Sequence, residues 1–200
     1  MNTILALFTF GLLLTGASQV ARVRLLRRVR DAGWTVEPSQ TTATSIGPWI
    51  AKSVGDFRVR VSLPVVSAEN WGKGGAPWKP RWHLRVEGAF AAIPTDGVVV
   101  TRRGSAPTMV HPPRLKQVRC VLDDVAVVRG LDDATIEKVL ADEDVNATLR
   151  NSFRHEAPFV EIVLLPSSIE ARTRRRSYDV NELESVCKSA VEMAESFEAA

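Results

Sequence analysis

The sequence predicts an α+β domain with a mainly antiparallel sheet and helices packed on one face, preceded by one N-terminal transmembrane helix. Three observations carry this. Residues Thr3 to Ala21 carry no charge and hold a dense apolar stretch that weakens at Ser18 and Gln19. Period-two alternation dominates the middle of the chain. Capped helical patterns of period 3.6 follow it, and strands that come before helices, rather than alternating with them, favour an α+β arrangement over α/β.

The opening segment contains Ile4, Leu5, Leu7, Phe8, Phe10, Leu12, Leu13 and Leu14. Nineteen helical residues reach roughly 28 Å, about the thickness of a bilayer's hydrocarbon core. Residues 1–21 therefore read as an anchor. Arg22, Arg24, Arg27, Arg28 and Arg30 follow at once, and no Lys or Arg precedes the segment. Positive charge stays on the cytoplasmic side, so residues 22–200 are expected in the cytoplasm as a single-pass arrangement. The competing reading is a cleaved signal peptide, for which Thr15-Gly16-Ala17 offers small residues but no basic n-region stands before it. Val20, Val23, Leu26 and Val29 continue the helical spacing, and Gly33 is a stop signal, so residues 22–33 are expected as a basic juxtamembrane helix.

Residues 34–50 are rich in Ser and Thr, with Pro38 and Pro48, and read as a linker or a loop laid on the domain surface, whose ends, Trp34, Trp49 and Ile50, pack down. The globular domain is then assigned to residues 51–200. Phe57, Val59, Val61, Leu63 and Val65 alternate with Arg58, Arg60 and Ser62, the clearest strand signal in the chain. Trp82, Leu84 and Val86 alternate with His83, Arg85 and Glu87. Asp96-Gly97 is a turn before a strand over 98–101. Three prolines make residues 104–114 a loop, and 118–128 reads as one strand bent at Asp123-Asp124. Asp132 and Asp142 cap two successive helices. Residues 159–165 and 168–174 form a hairpin. Asp179 caps a long helix whose single apolar stripe is Val180, Leu183, Val186, Cys187, Ala190, Val191, Ala194 and Phe197.

Roughly 150 residues outside the N-terminal segments suffice for one core without disulfides or metal. Two cysteines, Cys120 and Cys187, are too few for a disulfide framework. The 20 Arg against 6 Lys, with abundant Ala and Val, match a GC-rich bacterial coding sequence. The net charge of +3 conceals a split: residues 1–119 carry 17 basic and 6 acidic side chains, residues 120–200 carry 9 and 17. The basic half adjoins the apolar segment, where anionic headgroups attract Lys and Arg.

The richest candidate contact is the Gly/Pro loop holding Trp71, Lys73, Trp78, Lys79 and Arg81, whose indoles and cations suit a membrane interface, a partner or a stacked ring. The run from Arg172 to Arg176 could bind phosphate or anionic lipid, or pair with nearby Glu residues or stand as a solvated turn. The acidic second half speaks against nucleic acid. His83, His111 and His155 are far apart, and neither HExxH nor CxxC occurs, so neither metal nor cofactor is expected. Asp132-Asp133 and Asp142-Glu143-Asp144 are explained as helix starts. Asp123, Asp124, His155 and Glu156 are the residues an unfamiliar enzyme would use. With no catalytic motif, the chain reads as a membrane-tethered, non-enzymatic interaction or scaffold domain with a protein partner. An anionic lipid or nucleic-acid binding module and an enzyme of unrecognised type are the alternatives.

Overall fold

The computed structural model describes residues 20, 23–37, 49–62, 81–105, 115–154, 156–176 and 179–199. Within them the fold is α+β: a nine-stranded antiparallel sheet and four helices. The strands are β1 (Thr35–Glu37), β2 (Trp49–Val54), β3 (Phe57–Ser62), β4 (Arg81–Glu87), β5 (Val98–Arg102), β6 (Lys116–Val118), β7 (Ala126–Gly130), β8 (Phe159–Leu165) and β9 (Ser168–Arg176). The helices are α1 (residues 23–31), α2 (Asp133–Leu140), α3 (Glu143–Phe153) and α4 (Val180–Ala199). Strand order is β1-β2-β3-β4-β9-β8-β5-β7-β6, so the hairpin made last in the chain occupies the middle of the sheet.

Alternation decides the faces. Register aligns Val59, Val86, Ile169, Leu164 and Val98 in one row across five strands. Ile50, Val61, Leu84, Ala171, Ile162, Val100, Val128 and Val118 form the next. All are nearly inaccessible to water and share one core with Leu183, Val186, Ala190, Met193, Ala194 and Phe197 of α4. That helix lies over β3, β4 and β9, while α3 meets β8 and α2 meets β7. Ile136, Val139, Val145, Leu149 and Phe153 of α2 and α3 complete the layer. Burying each such side chain is worth about 1.5–3 kcal/mol relative to exposure.

The helix ends follow the expected signals. Asp132 accepts from the Thr135 amide at 2.7 Å and Asp142 from those of Asp144 and Val145 at 2.9 and 3.0 Å. Asp179 accepts from the Asn181 amide at 3.0 Å. At the end of α1, Gly33 takes φ 85°, its amide donates to the Arg30 carbonyl and the Trp34 amide to that of Val29. This is a Schellman termination, open to a residue without Cβ.

Three expectations change. Residues 34–50 are not linker throughout: 35–37 pair antiparallel with β2 as an edge strand, and Trp49 and Ile50 open β2 itself. Leu25, Val29 and Trp34 belong to the same core as the sheet, so packing begins at α1 and not at residue 51. The single bent strand expected over 118–128 is instead the hairpin β6–β7. Its turn is closed because Val125 and Ala126 both donate to the Leu122 carbonyl, and the Asp123 carboxylate takes the Cys120 amide. Cys187 is buried on α4 and Cys120 is partly buried; both are free thiols.

The anchor assigned to residues 1–21 falls outside the described residues, save for residue 20. No helix among the described residues is long and apolar enough to cross a membrane.

Candidate functional site

The other face of the sheet carries the charge. Because successive residues of a strand point to opposite faces, the partners of the core rows form rows of their own. One runs Ala51, Arg60, Arg85, Glu170, Val163, Val99 and Arg129. The next runs Trp49, Ser62, His83, Arg172, Glu161 and Thr101. Arg58, Glu87 and Ser168 lie in a third. Opposite charges thus meet across strands at Arg58/Glu87, Arg85/Glu170 and Arg172/Glu161, each pair favourable by a few tenths to about 1 kcal/mol.

Arg60 and Arg85 stand directly opposite each other, a like-charge contact that needs compensation. Carboxylates supply it. Arg60 donates to Glu37 through Nε at 2.9 Å and Nη2 at 2.7 Å, and through Nη1 to Glu87 at 3.2 Å. Arg85 lies 3.8 Å from both Glu87 and Glu170. The guanidinium of Arg60 also covers the Trp49 ring at 5.1 Å, a cation–π contact. Trp49 packs tilted against the His83 ring at 5.8 Å, and His83 Nε2 meets Glu170 Oε2 at 3.1 Å. The chain of contacts Arg60–Glu87–Arg85–Glu170–His83–Trp49–Arg60 therefore closes on itself.

Burial raises the pKa of Glu37, but the hydrogen bonds of Arg60 and Arg58 outweigh it and hold the carboxyl below its ordinary value. Glu170 behaves alike: burial pushes it up, and the His83 hydrogen bond with the charges of His83 and Arg85 brings it below the usual range. Glu161 is 0 % exposed, with Arg172 Nε at 3.9 Å. Beside it Val99 and Val163 make a small apolar cluster with Leu115 and Leu165. On this face Trp49 Nε1 and Ser168 Oγ are buried without a hydrogen-bond partner among the described residues. The arrangement is a network of paired Arg, Glu and His side chains around the buried Trp49 ring.

A second charged surface belongs to α1. Leu25 and Val29 are buried, whereas Arg24, Arg27, Arg28 and Arg30 are exposed. None of these four makes an ion pair among the described residues. The helix is fixed to the domain at its end: Trp34 Nε1 donates to Glu184 of α4 at 2.7 Å. Lys52 reaches both Glu184 at 3.0 Å and the Ala32 carbonyl at 3.2 Å.

Of the residues singled out from sequence, Trp71, Lys73, Trp78, Lys79 and Arg22 lie outside the described residues, and Arg81 is placed as the first residue of β4, in register with Arg176. The aspartates of the enzyme alternative are occupied. Asp123 closes its turn, and Asp124 pairs with Arg150, which also donates to the Val121 carbonyl. His155 lies outside the described residues. No group of three His, Cys, Asp or Glu among the described residues is placed to hold a metal. The charged face was not anticipated as a unit, although the alternating Arg58/Arg60 and His83/Arg85/Glu87 were its visible signal. In comparison with known proteins, no family model, curated protein or solved structure matches the chain.

Proposed function

We propose that the chain is a single-pass, membrane-tethered interaction domain without catalytic activity, its folded part in the cytoplasm. The observation that supports this most is the division of α1. Leu25 and Val29 enter the core, while four arginines are exposed directly after an uncharged apolar segment. A helix docked in this way couples the tether rigidly to the domain and presents guanidinium groups at the height of lipid headgroups. Confinement to a bilayer raises the effective concentration of the domain toward membrane-bound partners. The paired Arg and Glu side chains on the outer face of the sheet are the surface offered to a protein, since Arg is among the side chains that dominate interface energetics.

The test is topology. A reporter active only outside the cytoplasm and one active only inside it are each fused after residue 200 of the full chain. Membranes are then washed with alkaline carbonate. A carbonate-resistant chain with an internal C-terminus is the expected result. An external C-terminus, or release by carbonate, would overturn the proposal and favour a cleaved signal peptide.

A further inference from the structure

Helix α1 is divided along its length. Leu25 and Val29 are buried, while Val23, Arg24, Arg27, Arg28 and Arg30 are exposed, with one carboxylate, Asp31, at the far end. At about 100° per residue, Val23, Arg24 and Arg27 share roughly 100° of helix surface opposite Leu25 and Val29, and Arg28 and Arg30 flank them. Side chains three or four positions apart are neighbours on a helix, so Arg27 stands between Arg24 and Arg30, and Arg28 beside Arg24. Like charges so placed repel. The Glu184 carboxylate at the end of the helix does not relieve them, because Trp34 and Lys52 hold it.

Apolar groups share this side. Val23 is 64 % exposed and Val20, three residues earlier, 51 %; among the described residues, the other exposed large hydrophobics are Val121 and Leu131. Polarity thus rises along the outer side from valines to arginines. A bilayer changes in the same order, from hydrocarbon to phosphate. An acidic protein segment would match the arginines and leave the valines in water. The lengths agree as well. Arg24 to Arg30 covers about 9 Å of helix axis, and the headgroup layer on one side of a bilayer is about 5–8 Å deep. Helical Cα–Cβ bonds tilt toward the N-terminus, here toward the uncharged segment, and the flexible arginine stems extend that reach.

We propose that the outer side of α1 is a binding surface for anionic phospholipid, its four guanidinium groups taking the headgroup phosphates while Val20 and Val23 meet the acyl chains. This rests on the membrane-facing placement of α1 proposed above and adds a lipid preference to it. Arginine forks match phosphate oxygens. Phosphatidylcholine has a phosphate too, but its choline cancels the charge, so preference for an anionic headgroup is the signature.

The full chain is reconstituted in nanodiscs of phosphatidylcholine alone and of equal parts phosphatidylcholine and phosphatidylglycerol. Native mass spectrometry counts the lipids it retains. Discs expose both leaflets, so the direction of insertion does not matter. The parent should retain phosphatidylglycerol in excess. Arg24→Gln, Arg27→Gln, Arg28→Gln and Arg30→Gln should each lower the excess by up to about fivefold, and the four combined should remove it. Circular dichroism verifies the fold of each variant. Lys188→Gln, at an exposed position of α4, should change nothing. Equal retention of the two lipids by a chain that enters phosphatidylcholine discs overturns this proposal and leaves the tether standing. An excess that survives loss of all four arginines does the same. Entry into phosphatidylglycerol discs alone, through these arginines, supports the lipid surface and removes the tether. Arginine-dependent self-association without lipid preference assigns the surface to a second copy and overturns the proposal.

Discussion

Replacing Leu25 by Ala asks whether α1 belongs to the fold. Its side chain is 3 % exposed and sits in the main core beside Val29, which is 0 % exposed. The substitution removes three carbons, about 2.4 kcal/mol of transfer free energy at roughly 0.8 kcal/mol each. A residual cavity adds to this, and buried Leu→Ala changes span about 2–5 kcal/mol. Because α1 is a single helix at the periphery of the layer, partial collapse keeps the expected loss near the lower half of that range. Val29→Ala removes two carbons and should cost about 1.6 kcal/mol. Val23, 64 % exposed on the same helix, should change by no more than about 0.5 kcal/mol when replaced by Ala. Urea unfolding of the full chain in mild detergent, read by tryptophan fluorescence, gives the midpoints. For slopes of about 1–3 kcal/mol/M, Leu25→Ala should move the midpoint by roughly 1–2 M. If it moves no more than Val23→Ala does, α1 is not part of the cooperative unit. The rigid coupling of tether to domain would then fail.

Two further outcomes follow from the geometry. Gly97→Ala should destabilise by about 2–4 kcal/mol. The residue has φ +76°, and an added Cβ would stand 2.8 Å from the Leu164 carbonyl oxygen, so left-handed strain adds to a backbone clash that a circular-dichroism melt will register. Acid should weaken the fold through Glu37 and Glu170, whose folded pKa values lie below their unfolded ones. Their contribution is therefore complete above the ordinary carboxylate range and disappears as pH falls through it toward the folded values. Urea midpoints measured between neutral pH and about pH 3 should fall less in Glu170→Gln than in the parent, and an equal fall in both would contradict the assignment.

Much of the fold is legible because it is local. The alternation over β3 and β4, the aspartates before α2, α3 and α4, and the glycine after α1 each act within a few residues. What stayed hidden depends on distance or on side chains acting as backbone. The first edge strand has only three residues and little apolar character, so nothing in Thr35–Glu37 distinguishes it from a loop until β2 lies beside it. Strand β2 buries Trp49, Ile50 and Ala51 consecutively, which erases the period of two. The β6–β7 turn hides in an apolar run because its closure uses the Asp123 carboxylate and two amides on one carbonyl. The charged face was half visible, as arginines on the outer side of two strands. Its closure was not, since His83 finds Glu170 across 87 residues of sequence.

That hairpin sets a schedule for the chain. Strands β8 and β9 stand between β4 and β5, so the first four strands and the β5–β7 group share no edge until residues 159–176 arrive. The last helix then seals the layer. During synthesis the sheet consequently exists as two unfinished halves until nearly the whole chain has left the ribosome, and its non-local pairings make closure slow. Whatever engages residues 1–21 meets them long before the domain can close. A machinery that captures the apolar segment early would therefore handle an unfolded passenger and release it to fold in place.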